Sequence, residues 1–281
     1  MNKRVKFFAE QVLIVFNIFI AFLLLFENKL EIPAWLQPVG RMHPLLLHFP
    51  IVLLLLAIAL QWYGTASRRQ AGNLFHTFSQ SLLLSGALLS AVTVVMGLFL
   101  SKEEGYSGDT LQWHKWTGAG IFFLASIIYW AANKSWYKGI VTKVAGAVVV
   151  VSLILTGHFG ANLTHGEDFI LQKLAVYYEA PPVPINHAIV FDHVIRPIFE
   201  KKCMSCHNPD KQKGELILAD SASIVKGAKT GKLFVPGNPG ISLLLERVHL
   251  PLEEKKHMPP KGKAQLTENE IALLTLWIKD E

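Results

Sequence analysis

Five apolar stretches run through the first 160 residues, and they constrain the fold more than any other feature of this chain. Each is close to or longer than the roughly 20 residues that an α-helix needs to cross a bilayer. Within a bilayer every backbone N–H and C=O must bond inside the protein, which favours helices. The sequence therefore predicts an all-α fold that begins with a five-helix transmembrane bundle, with spans at residues 7–26, 44–63, 74–100, 115–132 and 139–160.

Basic residues are distributed unevenly around these spans. They precede the first span and fill the second and fourth loops: Lys3, Arg4, Lys6, Arg68, Arg69, Lys134, Lys138 and Lys143. The alternate loops carry the carboxylates: Glu27, Glu31, Glu103, Glu104 and Asp109. Cytoplasmic loops of membrane proteins are enriched in Lys and Arg. We therefore predict a protein of the bacterial inner membrane, with its N-terminus in the cytoplasm and its C-terminal part in the periplasm.

The chain has two cysteines, and both lie in Cys203-Met-Ser-Cys206-His207. Two thiols at this spacing can each form a thioether with a vinyl group of haem, and the adjoining histidine then ligates the iron. A tetrahedral zinc site needs two further ligands at short spacing, and a thioredoxin-like motif should open a helix after a strand. The motif thus predicts covalent haem c at Cys203 and Cys206, with His207 as one axial ligand.

The second axial ligand is expected from His257-Met258-Pro259-Pro260. A thioether is a neutral, weak ligand that raises the haem potential, and the two prolines restrict the loop that presents it. Met204 lies inside the attachment loop, on the proximal side. Met258 is therefore predicted as the second iron ligand, with His257 and His249 as its competitors.

Helices are expected on both sides of these motifs. Residues 191–199 carry an apolar stripe suited to an N-terminal helix, and Thr267-Glu-Asn-Glu270 reads as a capping box before a final helix. Two terminal helices around haem make a small class I-like cytochrome c domain. The predicted organisation is a membrane domain at 1–170, a proline-containing tether at 171–187 and a periplasmic cytochrome c domain at 188–281.

The predicted topology places five histidines at the outer ends of three spans: His43, His48, His114, His158 and His165. Ionisable side chains in a membrane are costly and indicate function. Depth favours His48 with His158 as ligands of a b-type haem, with His43 and His114 as the reserve pair. A transition metal or quinone headgroup is a second interpretation, and interfacial histidines bonded to backbone and water are a third. His76, near the cytoplasmic side, is assigned to the last class.

The C-terminal part resembles the cytochrome c domain family first recognised in planctomycete proteins. The matching segments between Phe191 and Trp277 are Ile195–Ile198, Cys203–Lys211, Val235–Pro239, Ser242–Arg247, Met258–Lys261 and Leu276–Ile278. The resemblance implies Cys203 and Cys206 as attachment points, with His207 and Met258 as axial ligands.

The N-terminal part resembles an uncharacterised bacterial inner-membrane domain family across about residues 40–170. The motifs are His43-Pro-Leu-Leu-Leu-His48-Phe-Pro-Ile51, Trp113–Gly118 and Leu155–Gly160. The resemblance marks His43, His48, His114 and His158 as motif positions and implies no chemistry for them.

The net charge of +6 does not predict a nucleic-acid partner, because the cytoplasmic loops hold most of the excess. Lysines do cluster around the predicted haem motifs: Lys201, Lys202, Lys211, Lys213, Lys255, Lys256, Lys261 and Lys263. A solvated surface is one interpretation of this cluster. A docking surface for an acidic redox protein, such as a periplasmic dehydrogenase or another cytochrome, is the other.

The sequence contains no Ser-His-Asp arrangement, phosphate loop or dinucleotide fingerprint. Haem with both axial positions filled suits electron transfer and opposes substrate binding at iron. We therefore predict an electron-transfer subunit, anchored in membrane lipid, that passes electrons from a dehydrogenase or quinol towards the respiratory chain. The alternatives are a quinol:cytochrome c electron-transfer subunit with a haem b or quinone site, and a non-redox anchor or haem-based sensor.

Overall fold

A computed structural model of the chain describes residues 2–66, 69–103, 106, 108–165 and 188–280. It divides into two compact units. The N-terminal unit comprises Met1–Glu103 and Leu111–Gly160, and the C-terminal unit comprises Glu104–Thr110 and Ala161–Glu281. The predicted tether at 171–187 lies outside the described residues.

The N-terminal unit consists of helices. Their bounds are α1 Lys3–Leu25, α2 Gln37–Arg41, α3 His43–Leu46, α4 His48–Ala66, α5 Arg69–Leu100, α6 Asp109–Ala131 and α7 Ile140–His165. Within the part of the chain that the structure describes, four helical segments are long and apolar enough to cross a membrane: Lys3–Leu25, Ala34–Gly64, Leu74–Leu100 and Ile140–His165. These segments support membrane association and overlap four of the five predicted spans.

The remaining predicted span, 115–132, is the fourth in chain order and corresponds to α6, which is a helix but is not among those four segments. Its first turns are polar, and Lys115 there forms an ion pair with Glu27, with Nζ 2.6 Å from Oε2. Its second half is buried in the bundle core: Ala119, Ile121, Phe122, Ala125, Ser126, Ile128, Tyr129 and Ala131. The structure therefore confirms a helix here, whereas its hydropathy alone does not confirm a fifth span.

Helix α6 is bound to α1 by polar side chains as well as by packing. The Tyr129 hydroxyl donates to Glu10 Oε1 at 2.6 Å. The Asn17 amide donates to Ser126 Oγ at 3.2 Å. Hydrogen bonds of this kind contribute to helix association where apolar surface alone gives little preference between protein and lipid. Helix α1 is thereby joined to the buried second half of α6.

The helix of the second predicted span, 44–63, is interrupted between α3 and α4. Helix α3 ends at Leu46 and α4 begins at His48. Pro50 has no N–H to donate to the carbonyl four residues earlier, which is that of Leu46. The break therefore follows from the proline, and it separates the turn that carries His43 from the long helix.

The C-terminal unit combines short helices with one small hairpin. A π-helical turn at Phe191–Ile195 leads into α8 Arg196–Lys202. Strands β1 His207–Asn208 and β2 Lys211–Gln212 pair antiparallel. The remaining helices are α9 Ser221–Lys226, α10 Leu243–His249 and α11 Glu268–Asp280.

Trp277 joins the first and last helices of the C-terminal unit. Its ring centroid lies 6.1 Å from that of Phe199 in α8, edge to face, and 4.8 Å from that of Phe234. Leu274, Trp277 and Ile278 are buried on one face of α11, since residues three and four apart share a face of a helix. The contact between the terminal helices agrees with the expected arrangement, although it does not establish class I topology.

The capping box at the start of α11 is present. Glu270 N–H donates to Thr267 Oγ1 at 3.2 Å, and Thr267 N–H donates to Glu270 Oε2 at 2.7 Å. We expect Thr267→Ala to lower the local stability of α11 by about 0.5–2 kcal/mol, because an N-cap acceptor is lost. Hydrogen exchange of the α11 amides, resolved by mass spectrometry, measures this.

Thr275→Ala is the matched control for the capping prediction. Its hydroxyl donates to the carbonyl of Ile271 within the same helix, at 2.8 Å, and caps nothing. Such bonds contribute little to helix stability. Equal changes in exchange for the two variants would contradict the capping role of Thr267.

Candidate functional site

The two cysteines lie in the hydrogen-bonded turn that follows α8, and His207 comes directly after it as the first residue of β1. Cys206 N–H and His207 N–H both donate to the carbonyl of Cys203, at 3.1 and 3.2 Å. Residues three and four apart on such a turn project from the same side. Both cysteines are free thiols. The turn thus presents two thiols and one imidazole together, as covalent haem attachment requires.

Asn208 in strand β1 is 3% exposed and stabilises this turn through hydrogen bonds. Its amide donates to the carbonyl of Met204 at 2.6 Å. Its side-chain oxygen accepts from the backbone N–H of Asp210 at 2.9 Å and of Lys211 at 2.7 Å. Asparagine is favoured at such turns because its side chain bonds backbone groups two and three residues on. The attachment loop is therefore fixed at its C-terminal end by one side chain.

Burial sets the protonation of the turn. It raises the pKa of the Cys203 thiol to about 12, the opposite of the lowered pKa that a redox nucleophile needs. It also lowers the pKa of His207, which favours the neutral imidazole that can bind iron. Nδ1 of His207 is buried without a hydrogen-bond partner among the described residues. These properties oppose the thioredoxin-like interpretation and suit a haem ligand.

Met258 lies in a cleft of about 310 Å³. The cleft is lined by Val248, Leu250, Leu252, His257, Met258, Gln265, Leu266 and Ile271. Met258 N–H donates to the carbonyl of Arg247 at 3.0 Å, which anchors the loop to α10. A mostly apolar cleft with few polar groups is typical of a cofactor site. Met258 therefore lines a mostly apolar cleft, whose lining does not include Cys203, Cys206 or His207.

The competing histidines are engaged in other contacts. His257 is 7% exposed, and its Nδ1 and Nε2 lie 2.7 Å from the carbonyl of Leu250 and 2.8 Å from Gln265 Oε1. The Gln265 amide in turn donates to the carbonyl of Pro259 at 3.0 Å. His249 is exposed and its Nδ1 bonds the carbonyl of Leu245 at 2.7 Å. Sequence reasoning did not find this role of Gln265, because glutamine at that position carries no distinctive pattern.

These observations test whether a c-type haem fits the residues present. The turn provides two free thiols. Nδ1 of His207, the next residue, is buried without a hydrogen-bond partner among the described residues. Met258 in the cleft provides a thioether. Together these are the donors of a c-type haem with histidine and methionine ligands. The residues therefore fit the group.

In the N-terminal unit, the structure brings His43 and His114 together. Their ring centroids lie 6.1 Å apart, with an interplanar angle of 88°. His48 is exposed, and His158 packs against Phe159 with ring centroids 5.7 Å apart. Depth along the spans predicted His48 with His158 as the first pair of ligands. The two histidines that lie close together are instead His43 and His114, the reserve pair of that prediction. His76 Nε2 lies 3.2 Å from the carbonyl of Ala132, a structural contact of the kind expected for it.

Comparison with known families finds matches in two separate parts of the chain. Residues 203–262 match the family described as "Planctomycete cytochrome C". Residues 41–169 match the family described as "Predicted membrane protein (DUF2231)". Both predicted resemblances are confirmed. A cytochrome c domain and a membrane-protein domain in one chain indicate a membrane-associated cytochrome, and the cytochrome c domain implies a haem cofactor. No curated protein and no solved structure matches the chain.

Proposed function

We propose that this membrane-associated cytochrome carries electrons at the periplasmic face of the bacterial inner membrane, from a dehydrogenase or quinol towards the respiratory chain. The observation that carries the proposal is the segment Cys203–His207, where two free thiols lie within four residues of a half-buried imidazole that has one buried nitrogen. Bound there, haem supplies a one-electron redox centre. The membrane unit would keep that centre close to donors and acceptors in the same bilayer.

In this proposal His207 and Met258 are the two axial ligands of haem c. Support comes from His257, whose two ring nitrogens both lie within hydrogen-bond distance of oxygens. With both axial positions filled, a diatomic ligand cannot reach the iron without displacing a protein side chain. That arrangement favours electron transfer over substrate or gas binding.

The proposed orientation has five spans, with α6 as the fourth. Helix α6 has 23 residues and is thus about 34 Å long, enough to cross the hydrocarbon core. An odd number of spans puts the two ends of the chain on opposite sides. The basic loops then lie in the cytoplasm and the cytochrome c domain lies in the periplasm, where c-type haem is attached.

Redox and ligand-binding measurements on the detergent-purified full chain test the carrier role. We expect reversible one-electron reduction of haem c, and no rapid binding of carbon monoxide to the ferrous protein. Reduction by a quinol and reoxidation through a terminal oxidase should both proceed in membranes. Immediate carbon monoxide binding would instead indicate an open iron position and a haem-based sensor, and would overturn the proposal.

Exposed lysines near Met258 are proposed to guide an acidic redox partner. The lysine patch is defined as Lys255, Lys256, Lys261 and Lys263, all exposed. Lys261 is paired with Glu253 at 3.6 Å, but both side chains are more than two-thirds exposed, so solvent screens the pair. Clustered charge of one sign accelerates encounter with the opposite charge.

Charged inorganic oxidants measure the effect of the lysine patch. We expect Lys255→Glu with Lys256→Glu to slow oxidation of haem c by hexacyanoferrate about tenfold at low salt, since steering contributes about 10–10³ to such rates. Oxidation by a cationic ruthenium ammine should not slow. Lys279→Glu is the control, because it lies eight residues beyond Ile271 of the cleft, about 12 Å along α11. Equal slowing by both variants would contradict a localised docking surface.

A further inference from the structure

His43 and His114 are each held through Nδ1, and their Nε2 atoms have no hydrogen-bond partner among the described residues. Nδ1 of His43 lies 2.9 Å from the carbonyl oxygen of Thr93 in α5, and Nδ1 of His114 lies 2.9 Å from that of Thr156 in α7. A carbonyl oxygen only accepts, so each Nδ1 carries the proton and each Nε2 keeps its lone pair. Metal-ligating histidines characteristically donate the other N–H to a backbone carbonyl in this way.

Each ring also lies against a glycine one helical turn beyond the threonine that it contacts. A Cβ added to Gly97 would meet His43 Cε1 at 3.0 Å, and a Cβ added to Gly160 would meet His114 Cε1 at 3.0 Å. The same Thr-x-x-x-Gly pattern, Thr93–Gly97 and Thr156–Gly160, thus forms a seat for an imidazole on α5 and again on α7. These two equivalent sets of contacts fix the orientation of both rings. Packing of the two histidines against each other would not by itself require this.

We propose that His43 and His114 bind one b-type haem through their Nε2 atoms, a cofactor beyond the haem c of the proposed function. A metal–imidazole bond is about 2.0–2.1 Å long and a ring radius is about 1 Å, so two rings on one metal have centroids roughly 6 Å apart. The measured separation is 6.1 Å. The pair therefore matches the spacing of two ligands on one atom, which is also the spacing of an edge-to-face ring contact.

The rest of the ligand set distinguishes haem from a bare ion. Over the described ranges, no group of three or more His, Cys, Asp or Glu side chains is placed to hold a metal ion. A tetrahedral site would need two further protein ligands. A porphyrin supplies four equatorial nitrogens itself and asks the protein only for axial ligands. Sites of this kind form between facing helices of a bundle.

Haem quantitation tests the site on the full chain in detergent. We expect the pyridine haemochromogen spectrum to contain haem b and haem c in equal amounts, with acid acetone extracting haem b alone. His43→Ala and His114→Ala should each lose the haem b and keep the haem c. The retained haem c shows in the same sample that the C-terminal domain received its cofactor, and a size-exclusion profile equal to that of the native chain shows that the membrane unit is folded. His48→Ala and His158→Ala are the matched controls and should keep both haems.

Substitution of Gly97 tests whether His43 is a ligand of haem b, because a histidine that only packs between helices would not affect the spectrum of haem b. Gly97→Ala should shift the absorption and electron paramagnetic resonance signals of haem b, because the new methyl group displaces His43. Gly120→Ala should shift neither, since nothing lies within 4 Å of its added Cβ. Copper or zinc in place of haem b, or no cofactor at all, would overturn the proposal. Loss of haem b only in the His48 and His158 variants would overturn it as well.

Removing haem c alone separates the test of the haem b site from the test of the carrier role. Replacing both cysteines removes covalent haem and leaves the His43–His114 pair unchanged. Haem b should then persist in a chain without haem c. A chain that carries haem c alone would leave the carrier proposal standing while refuting the second site.

Discussion

Replacing Cys203 and Cys206 together by serine is expected to abolish covalent haem while leaving the chain in the membrane. These are the two cysteines of the sequence, so no other thiol can form a thioether. Membrane insertion depends on helices of the N-terminal unit that do not include this turn. Haem staining after denaturing electrophoresis, with an immunoblot of the membrane fraction, measures both properties.

Ser205→Ala is the matched control for this experiment, because it changes the same turn without removing a thiol. Its hydroxyl lies 4.0 Å from Cys206 Sγ and makes at most a weak contact there. Full staining is expected for this variant. Covalent haem that persists in the double cysteine variant would refute the attachment site.

Met258→Ala is expected to remove the far-red sulfur-to-iron charge-transfer band and to lower the midpoint potential of haem c. A thioether favours ferrous iron, so its loss favours the ferric state. The shift should be on the order of 0.1–0.2 V, a fraction of the ~0.8 V range that axial ligands cover. Optical spectra and a potentiometric titration of the purified protein measure the two effects.

His257→Ala tests the competing ligand. His257 contacts the carbonyl of Leu250 and the side chain of Gln265, and through Gln265 it supports the loop after Met258. We expect this variant to keep the charge-transfer band and to lose loop stability. If the band survives in Met258→Ala, or is absent from the native protein, the assignment of Met258 is wrong and His257 becomes the ligand to test.

The attachment turn and the capping box were predictable because each is complete within a few consecutive residues. Five residues from Cys203 to His207 contain both thiols and the imidazole, and helical geometry brings them to one side. The capping box likewise needs only Thr267 and Glu270, and the structure contains both of its bonds. Local chemistry of this kind does not depend on how distant segments pack.

Helix α6 shows that mean hydropathy does not identify every helix of the bundle. The sequence predicted a span at 115–132, and the helix is there, but its polar first turns reduce its mean hydropathy. Its apolar second half packs against protein, with Phe122 and Ala125 fully buried. A helix face that packs against other helices can hold polar side chains such as Ser126, which bonds Asn17, whereas a lipid-facing surface must be apolar.

The haem motif, the helical segments and the order of the histidines along them could be predicted from the sequence, because each depends on consecutive residues. Which histidines meet depends on how the helices pack. Position along a span gives depth but not direction around the helix axis, so depth favoured His48 with His158. Packing of α3 against α5 and of α6 against α7 instead turned His43 and His114 towards each other, with ring centroids 6.1 Å apart.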